Sequence, residues 1–111
     1  MAAEVVIALY RPKPGKDREL EALLARHVPA LRALGLVTAR PATHLRSMED
    51  GTWLEIFEWA DGGASAHRAH EEPAVREIWD AMEKVCDFVT LGSLPEAGLR
   101  FPHFRPATLP D

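Results

Sequence analysis

An Asp-Gly pair between two segments rich in strand-forming residues constrains this fold more than any other feature of the sequence. Residues 36–48 and 52–60 are mainly apolar, β-branched or aromatic, and Asp50 and Gly51 lie between them. Such a pair favours the two-residue type I′ turn of a β-hairpin, because that turn needs positive φ at both central positions. With Asp50 and Gly51 as the loop, the numbers of opposed residues sum to 101, so Arg46 faces Glu55 and His44 faces Phe57.

The predicted hairpin has two chemically different faces, because the side chains of a strand alternate between the two sides of a sheet. One face is aliphatic and contains Leu45, Leu54 and Ile56. We expect a cross-strand ion pair between Arg46 and Glu55 on the other face. That face, called the aromatic face below, contains Trp53, Phe57, Trp59, His44, Arg46 and Glu55.

The remaining periodic segments predict two further strands and two main helices. Residues 4–10 are apolar at both parities, which predicts a strand covered on both faces. Residues 17–34 carry a leucine stripe at helical spacing, with a kink or restart expected at Pro29 and a helix end at Gly35. After a short helical piece, Pro73 begins a helix that extends to about residue 86, and residues 88–94 form the last strand. The order β-α-β-β-α-β predicts a ferredoxin-like α+β fold, an antiparallel sheet with two helices on one face.

The chain divides into a ferredoxin-like domain over residues 1–94 and a proline-rich C-terminal tail over residues 95–111. The tail contains four prolines and has no hydrophobic period. Phe101 and Phe104 indicate that it lies against an apolar surface.

Composition argues against several classes of protein. Thirteen Lys and Arg residues against seventeen Asp and Glu residues give a net charge of −4, which argues against nucleic-acid binding. No apolar run is long enough to span a membrane, and the N-terminus lacks a signal-peptide pattern, so we expect a cytoplasmic protein. Cys86 is the single cysteine, and no cysteine cluster or glycine-rich phosphate loop is present. We therefore expect neither a metal site nor a bound cofactor.

A sheet with both helices on one side leaves its other side open. We expect the aromatic face, with part of the first strand, to form this open side. An apolar surface of that size usually marks an interface, and a two-fold related copy is the simplest cover. The sequence thus predicts a homodimer through the open sheet face.

The chain resembles the dimeric α+β barrel superfamily, and within it the antibiotic-biosynthesis-monooxygenase-like small proteins. The resemblance depends on the element order, on the segment TWLEIFEWAD and on the downstream AHRAHEEPAVREIW, and it extends over about residues 4–94. It implies a dimeric barrel, in a family that includes cofactor-free oxygenases of polyphenolic compounds and haem-degrading enzymes. The haem-degrading members use an Asn on the first strand. This chain has no Asn, so haem handling ranks third among the functions considered.

Three residues are the candidates for catalysis: His67, His44 and Arg46. His67 and its neighbour His70 fit on one side of a helical turn, where either serves as a proton acceptor; alternatively, one packs at the helix–sheet junction and the other meets solvent. His44 is suited to removing a phenol or enol proton and Arg46 to holding a substrate anion. The alternative is a structural Arg46–Glu55 pair that sets the register of the dimer.

Aromatic residues supply most of the candidate ligand contacts. Tyr10 ends the first strand, where its hydroxyl either reaches a cavity mouth or marks the strand edge. His27 lies on the leucine stripe and is predicted to be a buried core histidine. Four other aromatic residues have two alternative roles: they stack on a planar ligand, or they fill a core or interface. They are Trp53, Phe57, Trp59 and Trp79.

Two functions of different class fit these residues. The first is a cofactor-independent, monooxygenase-like enzyme that binds a small aromatic or polyketide-like compound between sheet and helices. The second is a non-catalytic small-molecule-binding or dimerisation module. A cavity of several hundred Å³ lined by His44, Arg46 or His67 favours catalysis, whereas an Arg46–Glu55 pair that satisfies itself favours the second function.

Overall fold

The computed structural model describes residues 2–110 and has an α+β architecture. Five antiparallel strands form one sheet in the order β4-β1-β3-β2-β5, accompanied by three α-helices. No helix within residues 2–110 has the length and apolar character needed to cross a bilayer. The strands are β1 (Glu4–Pro12), β2 (Thr43–Arg46), β3 (Trp53–Trp59), β4 (Cys86–Phe88) and β5 (Arg105–Pro106), and the helices are α1 (Asp17–Ala33), α2 (Gly62–Ala69) and α3 (Pro73–Val85).

The two long helices follow the predicted periodicity. Helix α1 buries the leucine stripe together with His27, and it continues through Pro29 without a restart. Gly35 has a φ of 71°, the left-handed conformation expected just after a helix end. Helix α3 begins at Pro73, as predicted, and buries one apolar face that includes Ile78 and Met82.

The β2–β3 hairpin forms, but its register differs by two residues from the predicted one. The numbers of opposed residues sum to 99 instead of 101, so that His44 faces Glu55 and Arg46 faces Trp53. A shift by an even number of residues keeps each side chain on its predicted face, because side chains alternate with period two. The grouping of residues into an aromatic and an aliphatic face is therefore retained, while the predicted cross-strand partners are wrong.

The hairpin loop explains this shift. It comprises residues 48–51 and is closed by a hydrogen bond from the Ser47 N–H to the Thr52 carbonyl oxygen. Within the described residues only glycines have positive φ, so Asp50 does not adopt the conformation that a type I′ turn requires, although Gly51 does. Side chains stabilise the longer loop instead: the Ser47 hydroxyl accepts from the Asp50 N–H, and the Asp50 carboxylate accepts from the Thr52 N–H.

The predicted strand over residues 36–48 is interrupted. Its start pairs with the far end of β3: the Ala60 N–H donates to the Leu36 carbonyl, and the Thr38 N–H donates to the Glu58 carbonyl. Residues 39–42 then leave the sheet before β2 begins. Pro41 lies in this break, and proline has no N–H to donate to a sheet.

The aromatic face packs against the helices, so the prediction that it forms the open side is wrong. Trp53, Phe57 and Trp59 are buried in clusters with residues of α1 and α3. The physical reason is volume, because the bulky rings fill the space between sheet and helices. The aliphatic residues are left for the other side.

The open side of the sheet is covered only in part. Leu9 and Leu54 form a buried cluster with Leu94, from the segment that follows β4. At the other end of β1, Val5 is 53 % exposed and Ile7 is 43 % exposed. The expectation that the first strand is covered on both faces is therefore wrong for this half.

The last predicted strand, over residues 88–94, lies earlier in the chain. β4 starts where α3 ends, and it pairs only with the Tyr10–Pro12 part of β1. Leu91–Ser93 and Pro95–Gly98 form turns of 3₁₀-helix instead. Within the described residues, the Glu4–Ala8 part of β1 consequently has no strand beside it on this edge.

The region predicted as a tail adds a fifth strand to the sheet. β5 pairs with β2, and Phe104 packs against the Leu9–Leu54–Leu94 cluster. Phe101 is 82 % exposed, so only one of the two phenylalanines meets the expected apolar surface.

Candidate functional site

A carboxylate lies at the centre of the helix-covered side of the sheet. Glu55 is 0 % exposed, and three hydrogen-bonding groups lie 2.8 Å from its oxygens. Tyr10 Oη and His27 Nδ1 bind Oε1, and His44 Nε2 binds Oε2. Trp79 binds the other nitrogen of His27, also at 2.8 Å. These five residues are called the Glu55 network below.

The network is assembled from five elements, β1, α1, β2, β3 and α3. Glu55 lies in β3 between Ala8 of β1 and His44 of β2. The short side chain of Ala8 leaves space beside the carboxylate, and Tyr10 is on the same face of β1 two residues further along. His27 reaches the carboxylate from α1, because it shares the helical stripe of the buried leucines.

Hydrogen-bond directions determine the tautomer of His27. The indole N–H of Trp79 is a donor only, so it donates to His27 Nε2. The proton of the neutral imidazole is therefore on Nδ1, from which it is donated to Glu55. As a result, the lone pair of Nε2 is directed towards Trp79.

The network keeps Glu55 ionised. Burial by itself raises the pKa of this carboxyl, but hydrogen bonds from His27 and His44, and the positive charge of these imidazoles when protonated, lower it to about 2. Tyr10 behaves in the opposite way. Burial, followed by the charge of Glu55, raises the pKa of its phenol well above the ordinary value of 10, so Tyr10 stays a donor.

A cavity of about 610 Å³ borders this network. It lies beside the unpaired part of β1, and α3 contributes much of its opposite wall. Tyr10, His27 and Trp79 line it with other aromatic residues, and the charged side chains along it are Arg76, Asp80 and Glu83. A largely apolar cavity with a few convergent polar groups is typical of a small-molecule site.

The structure brings seven of the ten predicted site residues to the cavity or the network. His70 lines the cavity, and its ring packs edge-on against Trp79 with centroids 4.8 Å apart. Phe57 and Trp59 also line it. The seven residues are Tyr10, His44, Glu55, Phe57, Trp59, His70 and Trp79.

The other three predicted residues lie elsewhere. The His67 side chain is 80 % exposed on α2, and its Nε2 lies 3.3 Å from Oε1 of Glu71. Arg46 lies with its guanidinium 5.0 Å from the ring centre of Trp53, and it donates to the Gly51 carbonyl oxygen. The expected Arg46–Glu55 pair does not form, because the two-residue register shift puts Trp53 opposite Arg46.

His27 is the residue that sequence reasoning undervalued. It is buried, as predicted, but like Tyr10 it also links the carboxylate directly to the cavity. One signal was available: a histidine on an apolar helix stripe needs a buried partner, and Glu55 occupies the same side of its strand as the tryptophans.

The described residues offer little for metal binding or thiol chemistry. Within residues 2–110 no group of three or more His, Cys, Asp or Glu side chains is arranged to hold a metal ion. Burial, followed by repulsion from Asp87, raises the pKa of Cys86 to about 11, so its thiol is protonated at neutral pH.

His44 also lines a second cavity of about 420 Å³, between α1 and the C-terminal residues.

Comparison of the chain with protein-family models, curated proteins and solved structures returned no match. The functional argument below therefore depends on the geometry of the Glu55 network and its cavity.

Proposed function

We propose that this protein is a small homodimeric enzyme that oxidises an aromatic or polyketide-like compound with molecular oxygen and without a cofactor. The observation that carries the proposal is the position of His27, whose imidazole is held by a buried, ionised Glu55 and borders an aromatic cavity of about 610 Å³. The resemblance to antibiotic-biosynthesis-monooxygenase-like proteins points to the same activity.

The first step is removal of a proton from the bound compound by His27. A carboxylate that holds an imidazole in one tautomer also stabilises the imidazolium that forms when the base takes a proton. Tyr10 and His44 act on Glu55 as positioning residues, because their donated hydrogen bonds favour its ionised form. Phe57 and Trp59 offer ring faces and edges to the planar anion.

Oxygen then reacts with the anion. The carbanion adds O₂ to give a peroxide anion, which takes back the proton from the His27 imidazolium. Loss of water from this hydroperoxide converts the original CH₂ group to a ketone. One oxygen atom enters the product, the other leaves as water, and the substrate supplies all the electrons.

This proposal redistributes the roles suggested by the sequence. His27 replaces the exposed His67 as the base, and His44 acts through Glu55 rather than on the substrate. Arg46 is bound to the hairpin loop and to Asp17, so it has a structural role.

The proposal includes a ferredoxin-like subunit in a dimeric α+β barrel. Two observations support it: β1 lies between β4 and β3 with β2 beyond, and the exposed Val5 and Ile7 leave an apolar area on the open sheet face. A second copy that covers Val5 and Ile7 also lies beside the cavity, since Ile7 is one of its lining residues.

One observation favours the alternative, a non-catalytic binding module. Both nitrogens of His27 and both oxygens of Glu55 have partners inside the chain, as in a purely structural network. Such a network rigidifies a core without any chemistry.

Anthrone separates the two functions, because it is a tricyclic compound with an acidic CH₂ group, and its enol tautomer offers an O–H to His27. We expect the protein to consume oxygen with anthrone and to form anthraquinone, and mass spectrometry with ¹⁸O₂ should find one labelled atom in the new carbonyl. The His27→Gln variant should lose about 100-fold or more of this rate, the usual contribution of a general base.

His67→Gln is the matched control, since it changes an exposed histidine away from the cavity and should leave the rate unchanged. Binding of anthrone without oxygen uptake above the uncatalysed rate would establish the binding module instead. No binding of anthrone or a related tricyclic phenol would refute both functions of this cavity.

A further inference from the structure

We infer that the Trp79–His27 pair makes the cavity selective for hydrogen-bond donors: the indole N–H covers the lone pair of the His27 base, and only a ligand that donates a hydrogen bond can take its place without leaving Nε2 unpaired. The inference rests on the proposed function, because it assumes that the cavity binds a small molecule at His27. It adds a requirement on the ligand that aromatic walls alone do not impose.

The first step of the argument is the direction of every hydrogen bond at the base. Nδ1 of His27 donates to Glu55, and Nε2 accepts from Trp79 at 2.8 Å. The Tyr10 hydroxyl donates its only proton to Glu55. Besides the phenol oxygen of Tyr10, which is a weaker acceptor, the network therefore offers a ligand in this cavity one acceptor, Nε2 of His27, and the indole already occupies it.

The second step is the cost of displacing the indole. A ligand that pushes Trp79 aside with an O–H or N–H group exchanges one hydrogen bond for another. A ligand of the same shape without a donor leaves Nε2 unpaired in a largely buried site, which is more costly than the modest gain from forming a hydrogen bond. Breaking the indole bond thus costs every ligand the same, and only a donor recovers that cost at Nε2.

The third step is the freedom of Trp79 to move. Its side chain is only partly buried, it lines the cavity, and on one side its ring contacts the exposed His70. The indole can therefore turn into space that the cavity provides, while α3 stays anchored by Ile78 and Met82.

The test compares two naphthalene derivatives of similar shape, 1-naphthol and 1-methoxynaphthalene, which differ in the hydrogen-bond donor. Calorimetry gives the Kd of each for the wild type, for Trp79→Phe and for Trp59→Phe. Trp59 lines the same cavity but makes no side-chain hydrogen bond with His27, so Trp59→Phe is the matched control.

We expect the wild type to prefer 1-naphthol. Trp79→Phe removes the indole bond that each compound has to break, so it should tighten the binding of both by about three- to tenfold, the value of one net hydrogen bond. The preference for 1-naphthol should remain in Trp79→Phe, because only the naphthol pairs Nε2 in the complex, and Trp59→Phe should weaken both compounds alike.

A second readout uses the unaltered protein, in case Trp79→Phe folds poorly. The indole N–H resonance of Trp79 should shift on titration with either compound, at a lower concentration of 1-naphthol than of 1-methoxynaphthalene. Equal affinity for the two compounds, or a naphthol complex in which this resonance is unmoved, would overturn the inference and leave the proposed function intact. Failure of both compounds to bind would overturn the proposed function, and this inference with it.

Discussion

Nδ1 of His27 lies 2.8 Å from Oε1 of Glu55, in a contact from which solvent is almost entirely excluded. The two residues are 28 positions apart and belong to a helix and a strand, so this bond ties α1 to the centre of the sheet. A buried carboxylate is tolerated only when its hydrogen-bonding capacity is used, and here three donors use it. The predictions that concern the core follow from this arrangement.

Glu55→Gln should destabilise the fold. The amide keeps the size of the side chain but replaces one acceptor oxygen with a donor, which then confronts donors from Tyr10, His27 or His44. We expect the free energy of unfolding to fall by about 2–4 kcal/mol, as for other buried groups left with mismatched partners. Urea unfolding provides the measurement.

The control for this change is Glu83→Gln, at an exposed position on α3. It should stay within about 0.5 kcal/mol of the wild type, as surface substitutions usually do. Equal stability of the two variants would show that the Glu55 carboxylate makes no net contribution to the fold.

Acid should remove the contribution of Glu55 to the free energy of unfolding over a defined pH range. Its pKa is about 2 in the folded protein and 4.5 as a free side chain. A lowered folded-state pKa means that the unfolded chain binds the proton more readily, so the stabilisation is present above pH 4.5 and is lost as the pH falls towards 2. Urea midpoints measured between pH 6 and pH 2 should therefore fall more steeply for the wild type than for Glu55→Gln. Parallel curves would mean that Glu55 titrates at its ordinary pKa.

Much of the secondary structure could be predicted, because helices and strands leave different periodicities in a sequence. The leucine stripe of α1 and the position of Pro73 at the start of α3 are local signals, and both were confirmed. The register of the hairpin has no such local signal. The Asp-Gly pair is compatible with a two-residue and a four-residue loop, and the side chains of Ser47 and Asp50 stabilise the longer one.

The orientation of the sheet was harder to predict than its register. Both faces of β1 and β3 contain enough apolar residues to form a core, so alternation alone does not tell which face the helices cover. The sequence prediction put Glu55 on the open side of the sheet, paired with Arg46. The burial of Glu55 depends on donors from β1, α1 and β2, and no local pattern brings these together. The candidate site was thus recognisable as a set of residues, but not as a base and its partners.

The single tyrosine of the chain should not ionise while the protein is folded. Because burial and the charge of Glu55 raise the pKa of Tyr10 well above 10, tyrosinate absorbance near 295 nm should be missing at pH 10.5 in the native protein. The same titration in guanidinium chloride should show the ordinary transition near pH 10, which provides the internal control. Ionisation of the native protein near pH 10 would indicate that the phenol is solvated and that the contact with Glu55 is open.

Lysine at position 5 or 7 should separate the proposed homodimer into monomers. Val5 and Ile7 are the exposed apolar residues at the uncovered end of β1, so a charge placed there has to be desolvated when a second copy packs on this face. We expect light scattering coupled to size-exclusion chromatography to give a dimer mass for the wild type and a monomer mass for Val5→Lys and Ile7→Lys.

Met48→Lys is the control for this prediction and should remain dimeric. Met48 is an exposed apolar residue in the hairpin loop, away from that end of β1. Circular dichroism should show that all three variants are folded. A monomeric wild type, or dimeric forms of both β1 variants, would remove this face from the interface.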